Sequence, residues 1–167
     1  MSEIRYNPIS DLGKMKETLV ALLSDNENIN RLTQHCVNTP YMKGSIVENE
    51  SGIFIDTHLI KVSNQRIKEV GVEVYIVCHK DALSLSAADK EYFSNMDIHG
   101  NRVDCIVQIV HSAILEAQNM EELKKKYTIG EMNLIEAEPI KQYMPEDDYC
   151  GKQMSFTCQS FYQRKSK

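Results

Sequence analysis

Five cysteines, Cys36, Cys78, Cys105, Cys150 and Cys158, and five histidines are the residues of this sequence with the most chemistry to offer. A thiol becomes a nucleophile when a neighbouring base takes its proton, and a deprotonated thiol paired with imidazole also ligates zinc. His35 precedes Cys36, Cys78 precedes His79, and Cys105 shares an apolar segment with His111. Zinc sites, however, use tight spacings such as C-x2-4-C with H-x3-5-H, and no cysteine here stands in a C-x-x-C pair. Adjacent residues on a strand point to opposite faces, so Cys78 and His79 do not easily share one ion. An odd number of cysteines does not make a disulfide framework, and free thiols in a reducing compartment are expected. Cys78 and Cys105 lie among apolar residues, where a thiol acts as a small hydrophobe. No catalytic, metal or cofactor residue is therefore assigned. A thiol-dependent cytosolic enzyme or small-molecule binder, using Cys78, His79, Asp104 or Cys105, is the alternative from another functional class.

Other motifs are sparse. The seven glycines are isolated, so phosphate loops and dinucleotide fingerprints are absent, as are G-x-S-x-G and H-E-x-x-H. Glu146, Asp147 and Asp148 stand beside Tyr149. They lack the spaced ligands and glycine of a calcium loop and read as a solvated turn. Lys124, Lys125 and Lys126 read as a helix end, where cations favour the macrodipole. Tyrosine is enriched at interfaces. The candidate interface is accordingly Tyr143, Glu146, Asp147, Asp148 and Tyr149, with the basic tail residues Arg164 and Lys165.

The elements that must position these residues come from periodicity. Residues 9 to 24 predict an amphipathic helix through Leu12, Met15, Leu19, Leu22 and Leu23, capped by Ser10 or Asp11. Residues 29 to 37 predict a second, short helix that Pro40 ends. Two strands over 53 to 79 follow, joined by a turn at Ser63, Asn64 and Gln65. In the second of them Val70, Val72, Val74, Ile76 and Cys78 keep a period of two. A long connection at 80 to 100, with a helical turn near 86 to 90, leads to a central helix over 101 to 119 with Asn101 as N-cap. A strand pair over 131 to 162 closes the chain, its first strand confined to an edge or split by Pro139. Strand runs joined by hairpins predict one α+β domain over residues 1 to 167. Its core is a four-stranded, mainly antiparallel sheet with the N-terminal and central helices on one face.

Composition sets the outer bounds. The chain has 167 residues, 42% hydrophobic and 26% charged, within the globular range. Chains of this length bury roughly two-thirds of their unfolded surface. Nineteen Lys and Arg against 24 Asp and Glu give a net charge of −5, unlike the basic footprint of an autonomous nucleic-acid binder. No apolar run is long enough for a membrane span, and the first residues carry no apolar segment behind their charge, so neither a membrane partner nor a signal peptide is expected.

One order of elements goes beyond composition. It is the strand Val70-Gly71-Val72-Glu73-Val74-Tyr75-Ile76-Val77, then a long connection and an amphipathic helix. After these comes Tyr143-Met144-Pro145-Glu146-Asp147-Asp148-Tyr149-Cys150-Gly151, leading into Met154-Ser155-Phe156-Thr157-Cys158-Gln159-Ser160-Phe161. This order resembles the tail terminator, or tail-completion, proteins of the bacteriophage neck, over about residues 53 to 162, and differs in its long connections at 41 to 52 and 80 to 100. The resemblance implies a non-enzymatic virion protein made in the bacterial host cytoplasm. It implies a homo-oligomeric ring, a hexamer, that terminates the tail tube and joins it to the head-side connector proteins, with DNA passing through the lumen without specific binding. A head-completion, connector or baseplate subunit is the neighbouring reading. Ring closure would repeat one heterologous patch pair around an axis, using sheet edges or loops.

Overall fold

The computed structural model describes residues 8–37, 46, 48–63, 67–127, 131–140 and 147–161. The fold is built on one strand. β3 (Ile67–His79) pairs along its whole length with β2 (Ser51–Ser63) on one side and β5 (Tyr149–Phe161) on the other, both antiparallel. β4 (Met132–Pro139) runs antiparallel outside β5, and β1 (His35–Val37) runs parallel outside β2. The order across the sheet is β1-β2-β3-β5-β4. The class is α+β, with five strands in place of the expected four and one parallel junction.

The alternation of β3 decides which face is covered. Val70, Val72, Val74, Ile76 and Cys78 are each at most 1% exposed. They meet Ile53 and Ile55 of β2 and Met154, Phe156 and Cys158 of β5 in one core. Helices α1 (Pro8–Ser24), α2 (Glu27–Leu32), α4 (Arg102–Asn119) and α5 (Glu121–Tyr127) supply the other half of that core. α4 brings the widest stripe, including Cys105, Ile106, Val110, Ile114 and Ala117. Its start is held by a capping box: the Asn101 side chain accepts from Asp104 N–H while Asp104 accepts from Asn101 N–H. Gly100, at φ 114°, supplies the left-handed turn that leads into this cap. Between β3 and α4 the chain forms a single 3-10 turn (Lys80–Ala82) and α3 (Ala87–Ser94), whose Phe93 is fully buried.

Two expectations about the N-terminal third are corrected. Residues 10 and 11 lie inside α1, which begins at Pro8, so neither caps it. The helix expected over 29 to 37 covers only Glu27–Leu32. The reason is local competition from β2. Thr33 turns extended (φ −128°, ψ 151°), Gln34 N–H donates to Ser51 O, and Ser51 Oγ donates to Leu32 O. Once tied there, His35, Cys36 and Val37 pair with Gly52, Ile53 and Phe54. The turn at residues 64 to 66 lies outside the described residues.

Among the described residues no helix packs on the opposite face of the sheet. At one end it holds a small apolar cluster of Ile46, Phe54, Val77 and Ile140, with Tyr75 and Tyr149 packed against it. Two glycines allow close approach there and beside it. A Cβ on Gly151 would strike the Ile76 carbonyl oxygen of the neighbouring strand, whereas one on Gly71 would meet only the exposed His58 ring. Gly151→Ala is expected to destabilise the fold by about 2–4 kcal/mol, because backbone must move, and Gly71→Ala by under about 1 kcal/mol. Chemical denaturation of the two variants checks this; equal losses would contradict the clash.

Candidate functional site

The thiols do not assemble a reactive centre. Cys78, Cys105 and Cys158 are buried, Cys36 and Cys150 are half-buried, and none of the five is in a disulfide. Cys78 and Cys150 stand opposite each other on β3 and β5, but their Sγ atoms contact the backbone oxygens of His79 and Cys78 respectively. Burial is the largest influence on every one of the five, and it pushes each thiol upward, Cys78 to about 12 and Cys158 to about 11. At neutral pH each is therefore a thiol, not a thiolate. His79 sits on the other side of β3, where its Nδ1 accepts from Asp81 N–H at 3.2 Å and its ring meets Tyr149 edge-on at 5.1 Å. Asp104 is also occupied. Burial pushes its carboxyl up, but the Lys152 ammonium at 2.8 Å and the Asn101 N–H outweigh that and hold it below the usual range. Among the described residues no group of three His, Cys, Asp or Glu could hold a metal ion. A groove of about 470 Å³ beside α2 and α4 is lined by Asn28, Asp97, Gln108, His111 and Glu116, and none of the cysteines reaches it.

Of the candidate interface residues, Tyr149 serves the fold: its hydroxyl donates to Ile46 O at 2.9 Å, and its ring packs on His79. Asp148 is exposed, and its carbonyl accepts from Lys80 N–H at 2.8 Å. Asp147 is half-buried beside it. Tyr143, Glu146, Arg164 and Lys165 lie outside the described residues.

The surface with a clear chemical character is the helix-free face. Strand alternation puts Glu69, Gly71, Glu73 and Tyr75 of β3 on it, opposite the buried valines. Register then lines up one row across the sheet: Asp56 faces Glu73, Glu73 faces Ser155, and Ser155 faces Glu136. Like charges directly opposite on neighbouring strands destabilise a sheet. Two contacts offset the repulsion. Lys16 of α1 reaches Asp56 at 2.9 Å, and Glu73 accepts from Ser155 Oγ at 2.6 Å and from Gln153 Nε2 at 2.8 Å. The Tyr75 hydroxyl, in the next row, is pushed up by burial and then by the Glu73 and Asp56 carboxylates. No single stretch of sequence contains this row; only the period of two within each strand hinted at it.

The sheet edges are the second distinctive surface. β4 is an outer strand whose residues 133 to 137 are exposed, and its register with β5 shifts between Leu134 and Glu136. The shift leaves Ile135 61% exposed next to Leu134 at 38%. Two consecutive apolar residues in an otherwise alternating strand were the available signal for this bulge. On β2 a second shift, between Leu59 and Lys61, accompanies exposed Leu59 and Ile60.

A protein-family model described as YomW matches residues 4–158, nearly the whole chain. Among curated proteins none matches it. No helix among the described residues is long and apolar enough to cross a membrane.

The matched span includes every cysteine, and their burial has a consequence for stability. The ordinary thiol value is 9.0, against about 12 for Cys78 and about 11 for Cys158 in the fold. Above pH 9 the unfolded chain loses these protons while the folded chain keeps them, so the unfolded state binds fewer protons and stability falls as pH rises. The expected slope is at most about 1.4 kcal/mol per pH unit for each such group. Thermal melts between pH 9 and pH 11 should show this decline, and Cys78→Val should make it shallower. An identical slope in the variant would contradict the assignment to Cys78.

Proposed function

The chain belongs to the YomW family, a family with a phage-associated name, and on that premise we propose that it is a structural protein of a tailed-phage or phage-like particle. In this reading it works without catalysis, as a homo-oligomeric ring of six at the head–tail neck. The ring terminates the tail tube and meets the head-side connector proteins.

The observation that carries the reading is the acidic row on the bare sheet face. Register sets Asp56 directly opposite Glu73 at a cost to the sheet, and Glu136 stands in the same row beyond Ser155. A surface kept acidic against its own repulsion suits the lining of a passage for DNA. Cations along such a bore would bind phosphates and release counterions, holding the duplex in place. Carboxylates leave it free to slide. The helices, packed on the opposite face, then lie toward the outside of the ring.

The experiment is native mass spectrometry of the purified chain, alone and mixed with tail-tube protein, with negative-stain images of the tube ends. The expected result is a six-fold ring and capped tubes. A twelve-fold ring that ignores the tube would move the protein to the connector. A chain that remains monomeric in both samples would overturn the reading.

A further inference from the structure

Register brings two thiols face to face. Cys78 of β3 is the strand partner of Cys150 of β5. Directly opposite residues share one face of an antiparallel pair, and both side chains pack into the helix-side core. Two positions along, Lys80 N–H donates to Asp148 O. Hydrogen-bonded and non-hydrogen-bonded pairs alternate, which makes Cys78 and Cys150 a hydrogen-bonded pair with Cα atoms roughly 5.5 Å apart. A disulfide spans Cα separations of about 4.4–6.8 Å. Cys150 Sγ already lies 3.8 Å from the Cys78 carbonyl oxygen. Cys78 Sγ contacts His79 O at 3.2 Å, and a change of χ1 rotamer is the movement that turns it toward β5.

The other cysteines have no cysteine opposite them. Cys36 pairs with Ile53, and Cys158 pairs with Val70 and Met132. Cys105 lies on α4, its Sγ 3.8 Å from Gly100 O. The opposed pair is also unequal in access. Cys78 is fully buried, whereas Cys150 is half-buried. An oxidant arriving from solvent therefore meets Cys150 first. Burial raises the Cys150 thiol, and the Lys80 ammonium acts against that rise. One accessible thiol beside a second, resolving thiol is the arrangement in which oxidation ends in a disulfide.

We propose that Cys78 and Cys150 form an oxidation site at which a peroxide closes a cross-strand disulfide between β3 and β5. The Cys150 thiolate attacks one oxygen of hydrogen peroxide, the O–O bond breaks and hydroxide leaves. The product is a sulfenic acid on Cys150. The Cys78 sulfur then attacks the Cys150 sulfur, the S–O bond breaks, and the hydroxyl leaves with the Cys78 proton as water. In sum the two thiols give up two hydrogens with two electrons, and one peroxide becomes two waters. The bond closes a loop of about 70 residues that holds α3, α4, α5 and β4. In a reducing compartment the pair stays open. The inference rests on the register of β3 and β5 and stands apart from the ring reading.

The test treats the folded full chain with hydrogen peroxide at mildly alkaline pH, blocks the remaining thiols by alkylation and maps the peptides by mass spectrometry without reduction. The expected product has lost two hydrogens, carries three alkylated thiols in place of five, and contains the Cys78 peptide joined to the Cys150 peptide. Its thermal midpoint should rise by about 5–10 °C, because the bond restricts the unfolded chain, and dithiothreitol should reverse the rise. Cys150→Ser should form no bond and show no such rise. Should that variant fail to fold, the peptide map of the wild-type chain decides alone. A bond from either residue to Cys105 would overturn the pair. So would a sulfinic acid on Cys150 with Cys78 still alkylated, or five thiols that survive the peroxide. A joined product that melts no higher than the reduced chain would overturn the bond as a staple of the fold.

Discussion

The pairing of β3 with a full-length strand on each side is the constraint on which the rest of the structure depends. Thirteen consecutive residues of β3 are matched on β5, from Ile67 with Phe161 to His79 with Tyr149, and β2 is matched almost as completely. Because side chains alternate along a strand, this register decides every neighbour relation on both faces at once. A slip of one residue would turn Val70, Val72, Val74 and Ile76 out of the core and carry Glu69, Glu73 and Tyr75 into it. Burial of those four aliphatic side chains, at about 1.5–3 kcal/mol each, makes such a slip prohibitive.

The same register explains why the two faces have such different chemistry. The helix-covered face takes up the thiols, and burial there favours their protonated form. The bare face collects carboxylates from β2, β3 and β4 that are distant in the chain. Their repulsion is tolerated because Lys16 crosses from α1 to Asp56 and because Ser155 and Gln153 donate to Glu73. Those two devices concern the acids themselves and contribute little to the core.

The edges follow from unequal strand lengths. Among the described residues β1 pairs with three residues of β2, and β4 covers β5 as far as Cys158. Leu59 and Ile60 are exposed on β2 near the level where β4 begins.

The amino-acid pattern by itself determined the elements whose periods are long and clean. The alternation from Val70 to Cys78, the stripe of α4 with its Asn101 cap, and the alternation of Met154, Phe156 and Cys158 all follow from covalent geometry, which repeats every two or 3.6 residues. The coarse α+β class followed from their order. Tertiary structure alone decided the rest. His35, Cys36 and Val37 are too few to show a period, and they became a strand because Ser51 and Gly52 lay beside them. Nothing in the sequence near Tyr149 showed that Ile46 and His79 would be its partners. Asp56, Glu73 and Glu136 form a row only through cross-strand register, and Ile135 is exposed only because β5 skips it. The physical reason is common to all of them: a period is a property of one segment, whereas a face, an edge and a charge row are properties of neighbours that the chain brings together from far apart.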